Sequence, residues 1–173
     1  MILFLMMALQ GAPTAAAPVP AWTAIMKPDS QNGKPTGQAS AISTDGTSRL
    51  VIRCDRRTDD LVSLQFIPNP SFSPTTSRPV SIAVDGGNMQ GANWDFLQGA
   101  LIMSDDVIVT NLAVLIAGAR HAIRVRVIDP TEKPIDMTFP APASDAGIKQ
   151  ILQTCNYSFG VAPSSLPAPA PAP

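Results

Sequence analysis

The sequence predicts a mainly β domain of the α+β kind. It should hold antiparallel, sandwich-like sheets, one or two short helices, and a C-terminal helix tied by a disulfide. Three observations carry this. Several short runs alternate apolar and polar residues with period two. Turn-forming residues punctuate those runs. Two cysteines, Cys54 and Cys155, stand near the two ends of the patterned region, each on an apolar face.

The chain of 173 residues starts with a continuous apolar run, Met1 to Leu9. It is too short to span a bilayer, which needs about 20 residues, and it suits the core of an export signal. Small residues follow, and cleavage after Ala16 or after Ala21 fits a signal peptidase. No Lys or Arg precedes the run, which is atypical of such signals. No cysteine follows it directly, so it is not a lipoprotein signal. The other end, Val161 to Pro173, alternates Pro and Ala. Such a stretch can neither pair in a sheet nor continue a helix, so an extended, polyproline-like tail is expected. Three segments result: a signal peptide over 1–21, one exported β-rich domain over 22–160, and a disordered Pro/Ala-rich tail over 161–173.

Within the domain, 27–38 is polar and rich in breakers and reads as a loop. Arg49 to Asp55 alternates, with Leu50, Ile52 and Cys54 on one face and Arg49, Val51 and Arg53 on the other. Leu61 to Ile67 follows a turn and places Val62, Leu64 and Phe66 together. Pro68 to Pro79 carries four prolines and reads as a crossover between sheets. Val80, Ile82 and Val84 repeat the alternation, and Asp85-Gly86-Gly87-Asn88 forms a turn. Leu101 to Met103 and Val107 to Val109 flank Ser104-Asp105-Asp106 as a short hairpin. A helix over 111–119 is expected, with Thr110 as its N-cap. His121 to Ile128 is the longest alternating run, and Pro134 to Phe139 reads as an edge strand. A last helix begins at Ser144. Its Ile148, Ile151, Leu152 and Cys155 fall on one stripe. Docking that stripe on the sheet brings Cys155 to Cys54. The bridge would close a loop of about 100 residues, worth about 4.7 kcal/mol in the chain-entropy account. Disulfides persist in oxidising compartments, so the pair agrees with export to the periplasm or beyond.

The order of these elements resembles the VasI/TagO family of small exported proteins associated with type VI secretion. The residues that carry the resemblance are LVIRC ending at Cys54, PVSIAVDGG leading to Asp85, Trp94, the strand AIRVRVID, and IKQILQTCNY around Cys155. They lie within residues 40–157. Two positions depart from the family pattern. Ala83 stands where the family tends to place an arginine, and Tyr157 replaces a tryptophan. The resemblance implies an accessory protein of the envelope rather than a reaction.

The residues carry no evident catalytic set. All 25 charged residues fall between Lys27 and Lys149, and the net charge is −1. That balance argues against a nucleic-acid binder, which shows a basic face. His121 is the single histidine. Period-two counting places it with Ile123, Val125 and Val127, as a core or strand-end residue. One histidine and two paired cysteines leave no zinc set and no thiol nucleophile. Asp55, Asp59 and Asp60, and again Asp105 and Asp106, are paired acids of a kind used in glycoside chemistry. Both groups fall in turns, where aspartate serves local hydrogen bonds. The stretch from Asp85 to Asp95 is oxygen-rich but lacks the regular ligand spacing of a calcium loop. No metal or cofactor is expected.

The binding candidates are arginines. Arg120, Arg124 and Arg126 share one face of the long strand, and Arg49 and Arg53 share one face of another. If those strands were neighbours, five guanidinium groups would form a stripe suited to carboxylates or phosphates. The alternative is a solvated face with cross-strand ion pairs. Trp94, in a Gly/Asn-rich stretch, is either a core plug or an anchor for a partner. The expected function is a non-enzymatic exported module that binds an envelope protein or cell-wall component. The alternatives are a weak carboxylate-dependent cell-wall hydrolase and a purely structural accessory subunit.

Overall fold

The computed structural model describes residues 22–56 and 60–161. Residues 1–21, where a signal peptide is expected, residues 162–173, where the Pro/Ala-rich tail is expected, and Asp59 lie outside the described residues. Among those described, the chain forms β1 (Thr23–Pro28), β2 (Pro35–Ile42), β3 (Ser48–Asp55), β4 (Leu61–Pro68), β5 (Ser77–Val84), β6 (Gln90–Leu97), β7 (Ala100–Met103), α1 (Asp106–Ala117), β8 (Ala122–Ile128), β9 (Pro134–Pro140) and α2 (Ala146–Thr154). The strands make one antiparallel sheet in the order β1-β2-β3-β4-β7-β6-β5-β8-β9. The fold is therefore mainly β with two short helices.

The sheet curls until its two ends meet. Thr44 N–H donates to Thr138 O at 2.7 Å, and Trp22 Nε1–H donates to Pro140 O at 2.8 Å. Phe66 of β4 and Phe139 of β9 meet edge to face with centroids 6.5 Å apart. The two halves thus enclose one core as the layers of a sandwich do, but without a break between them. Leu50, Ile52, Leu64, Phe66, Ile123, Val125 and Val127 fill that core from the strands. Val109, Leu112 and Ile116 enter it from α1, and Ile148, Ile151 and Leu152 from α2. Cys54 and Cys155 are bonded, fastening the end of α2 to β3.

Several elements differ from expectation, each for a local reason. The polar stretch 27–38 is a hairpin rather than a loop. Asp29 Oδ1 accepts the N–H groups of Gln31 and Asn32 at 2.8 and 3.2 Å, and Gly33 supplies the left-handed φ of +69°. A side chain at Gly37 would lie 2.4 Å from Met26 Sδ and 2.7 Å from Ile151 Cδ1. Glycine there lets α2 lie against the strand. Val107 to Val109 is helical, not a strand. Asp105 caps α1 by accepting Ile108 N–H at 2.9 Å, so the helix starts before Thr110, which sits buried in its middle. At α2 the N-cap position falls to Asp145 rather than Ser144, and Asp145 pairs with Lys149 at 2.6 Å. The proline-rich stretch does cross over, but within one sheet, since β7 and β6 lie between β4 and β5.

Candidate functional site

Strand pairing decides which arginines can act together. On β3, Leu50, Ile52 and Cys54 point into the core, so Arg49, Val51 and Arg53 point out. On β8, Ile123, Val125 and Val127 point in, so Arg124 and Arg126 point out. Four strands separate β3 from β8 within the sheet. The five arginines therefore form no single stripe. Arg120 precedes β8 and lies off its face; its backbone N–H donates to Asp85 Oδ2 at 2.8 Å. His121 likewise precedes the strand and is exposed, because its N–H is drawn to Asp85 Oδ1 at 2.8 Å. Both oxygens of Asp85 are thus engaged by backbone.

The two arginine pairs differ in surroundings. Arg126 lies across from Asp136 and makes a bidentate pair at 2.9 and 2.8 Å. These hydrogen bonds raise the Arg126 pKa and lower that of Asp136. Arg124 stands between Ala83 and Thr138. The β8 face is therefore polar and partly neutralised. On β3, Arg53 reaches Asp55 at 3.4 Å and stands between Gln38 and Ser63. Arg49 stands between Ile42 and Ile67. It makes no ion pair among the described residues.

Trp94 is not an exposed anchor. It lies in β6, is 1 % exposed, and belongs to the core. Inward alternation on β6 buries it, and its neighbour Asp95 points out. Across from Trp94 stands Arg78, which donates through Nη1 to Asp129 O and to Glu132, both at 3.2 Å. Among the described residues, the acids weighed as catalytic are engaged structurally. Asp60 accepts from Arg56 Nε–H at 2.7 Å and from Asn156. Asp106 accepts from the buried Tyr157 hydroxyl, and burial together with that bond raises the tyrosine pKa.

The feature that residue-by-residue reading missed is the apolar outer face around β3. Ile25, Ile42, Leu61 and Leu97 are 54, 41, 40 and 56 % exposed. By register each sits on the solvent side of the sheet: Ile25 and Ile42 in rows with Arg53 and Arg49, Leu61 opposite Asp55, and Leu97 opposite Ala100. Of these, Leu61 and Leu97 line one groove together with Ile67, Ile102, Gln65 and Arg53. An antiparallel sheet with one solvated face ordinarily alternates apolar-in and polar-out, and exposed apolar patches mark interaction sites. The signal was present in Leu61 to Ile67, whose two ends are apolar on the otherwise polar side.

No family model matches the chain, and no curated protein is significantly similar to it. Among solved structures, invasion associated protein B from Bartonella henselae is similar over 76 % of this chain and 90 % of that one. The identity is 14 % and the TM-score 0.49.

Proposed function

We propose that the chain is a non-enzymatic exported accessory module that binds a protein in the cell envelope through the outer face of β2, β3, β4, β7 and β6. The observation that carries this reading is the exposed apolar row on that face with Arg49 set into it, lacking an ion partner among the described residues. Arginine beside exposed aliphatic residues is a usual composition for a protein-binding surface, where apolar area supplies affinity and the guanidinium supplies orientation. Three further points agree with an envelope setting. The Cys54–Cys155 bond belongs to an oxidising compartment. No helix among the described residues is long and apolar enough to cross a membrane. The resemblance of the motifs to the VasI/TagO family points to an accessory role near type VI secretion.

The test is retention from envelope extract on the immobilised domain. Ile67→Glu with Leu97→Glu should abolish retention of the specific partner while the melting temperature stays within a few degrees. Arg124→Ala with Arg126→Ala should leave retention intact. The reverse pattern would move the site to β8 and overturn the reading.

A further inference from the structure

We propose that the outer face holds its partner by one end: the depression around Arg49 takes the free C-terminal carboxylate of a polypeptide whose last residue is aliphatic. The inference rests on the reading of that face as protein-binding and names the chemistry of what it binds. It starts from curvature. The two ends of the sheet meet, so the outer face is convex and outward side chains on different strands diverge. A flat partner touches such a face only along a narrow strip. Grip has to come from a depression.

One lies where the strands stop. It holds about 450 Å³ and is lined by Ile42, Arg49 and Ile67 of the sheet and by Gly46, Asn69 and Ser71 of the two connections that follow. That volume falls within the 300–1,000 Å³ or so of small-ligand sites. Ile42 and Ile67 stand directly opposite Arg49, one on each side, so the cation has an aliphatic wall on both flanks at about 5 Å. Arg49 is exposed and makes no ion pair among the described residues. Asp45, the nearest acid along the chain, is committed to its own turn. It accepts from Ser43 Oγ at 2.6 Å, from Thr47 N–H at 3.0 Å and from Thr47 Oγ1 at 2.9 Å. The other arginine of β3, Arg53, is about 13 Å away along the strand and pairs with Asp55. The depression thus offers one positive charge between aliphatic side chains. Its occupant should carry one negative charge beside aliphatic carbon.

A carboxylate meets that description and a phosphate does not. The guanidinium fork matches the two oxygens of a carboxylate. A phosphate monoester brings about 1.5–2 negative charges, and the surplus would lie unpaired against isoleucine, which is costly. Among carboxylates, the C-terminal one fits best. A terminal residue carries its carboxylate and its side chain on one carbon, so a single residue reaches the guanidinium and an adjacent isoleucine together. Asn69 and Ser71 supply polar atoms for the one amide that precedes it. An internal aspartate or glutamate would bring an amide on each side. The depression also lies where Ile42 and Pro68 finish their strands, so a chain laid along β3 in this direction ends here.

Fluorescence anisotropy of a dye-labelled hexapeptide, Gly-Ser-Gly-Ser-Val-Leu with a free C-terminus, titrated with the purified, oxidised full chain tests this. Two peptides serve as controls: the same sequence as its C-terminal amide, and the amide with glutamate in place of the second serine, which keeps one carboxylate but moves it inside the chain. The free acid should bind at least about ten-fold more tightly than either amide. N-acetyl-leucine should displace it, and inorganic phosphate at the same concentration should not. Arg49→Gln, at an exposed position where single replacements move stability little, should erase the preference for the free acid while the melting temperature holds. The comparison of acid with amide needs no variant, so it stands even if Arg49→Gln folds poorly. Acid and amide binding alike, or neither binding, would overturn the proposal. So would an internal glutamate that binds as tightly as the free acid, displacement by phosphate, or a preference that survives Arg49→Gln in a folded chain. Envelope retention lost on Ile67→Glu with Leu97→Glu, together with acid and amide binding alike, would leave the face as protein-binding and remove only this occupant.

Discussion

At the scale of single residues, Asp85 shows how one side chain can organise a junction. It sits at φ +51° just after β5. Its carboxylate accepts the N–H groups of Arg120, His121 and Ala122 at 2.8, 2.8 and 3.1 Å. Its own N–H donates to Ala122 O at 2.9 Å. The bond from Arg120, then that from His121, holds its pKa below the usual carboxylate value. A depressed folded pKa means that the stabilisation is present above the unfolded pKa of about 3.9 and is lost as pH falls through the folded value. Asp85→Asn should therefore melt below the wild type at neutral pH. The gap should close as the pH drops below the folded value, which melting curves across pH will show. A gap that persists in acid would mean that shape rather than charge is at work. The sequence marked Asp85 only as the start of a turn. Its three partners lie some 35 residues on, and nothing local announces them. The same distance misplaced His121: counted by period two it belonged to the core face, but the pull of Asp85 ends the pattern before it.

At the scale of elements, legibility followed contrast. β3, β5 and β8 were readable because large aliphatic residues alternate there with polar ones. β1, β2 and β6 were not. β2 turns Ala39 and Ala41 to the core, where the larger side chains of α2 fill the space, so its own sequence, PTGQASAI, looks polar. β6 carries Gly91, Asn93 and Asp95 on its outer side and reads as a loop until a partner strand is supplied. α1 was read short because Val107, Ile108 and Val109 favour strands by propensity. The cap overrides this: Asp105 satisfies Ile108 N–H, and Asp106 adds negative charge to the first turn. Asp105→Ala should lower stability by about 1 kcal/mol. That corresponds to a fall in melting temperature of roughly 2–4 °C, measurable by circular dichroism, while Asp105→Asn should lose much less.

At the scale of the whole molecule, what could not be read was order. The strands bearing Arg49 and Arg124 were each foreseen with the correct outward faces, but sheet position is a long-range property. The insertion of β7 and β6 between β4 and β5 is what separates the arginines. The cysteine pairing was legible because it needed only two apolar faces and one helix period. Its energetic role is also global. Replacing Cys54 and Cys155 together by alanine should lower stability by about 2–5 kcal/mol. Denaturant titration of the variant checks this, as does the wild type titrated with and without reductant. A change within error would mean that the ends of the domain are held as well by packing alone.

That bond also makes part of the chain a closed ring, with an open segment leading away from each cysteine. The ring spans the 101-residue separation from Cys54 to Cys155 and contains everything from β4 to α2. A peptidase that cuts once inside it, in the 69–76 connection for instance, opens the ring into a line but releases nothing. The two pieces stay one covalent object until a reductant arrives. A cut in the turn between β1 and β2 lies outside the ring and severs β1 outright, leaving only the sheet's hydrogen bonds and the contacts beneath α2 to hold it. A nick therefore costs least inside the ring, and the exposed first hairpin is the place where cleavage removes mass.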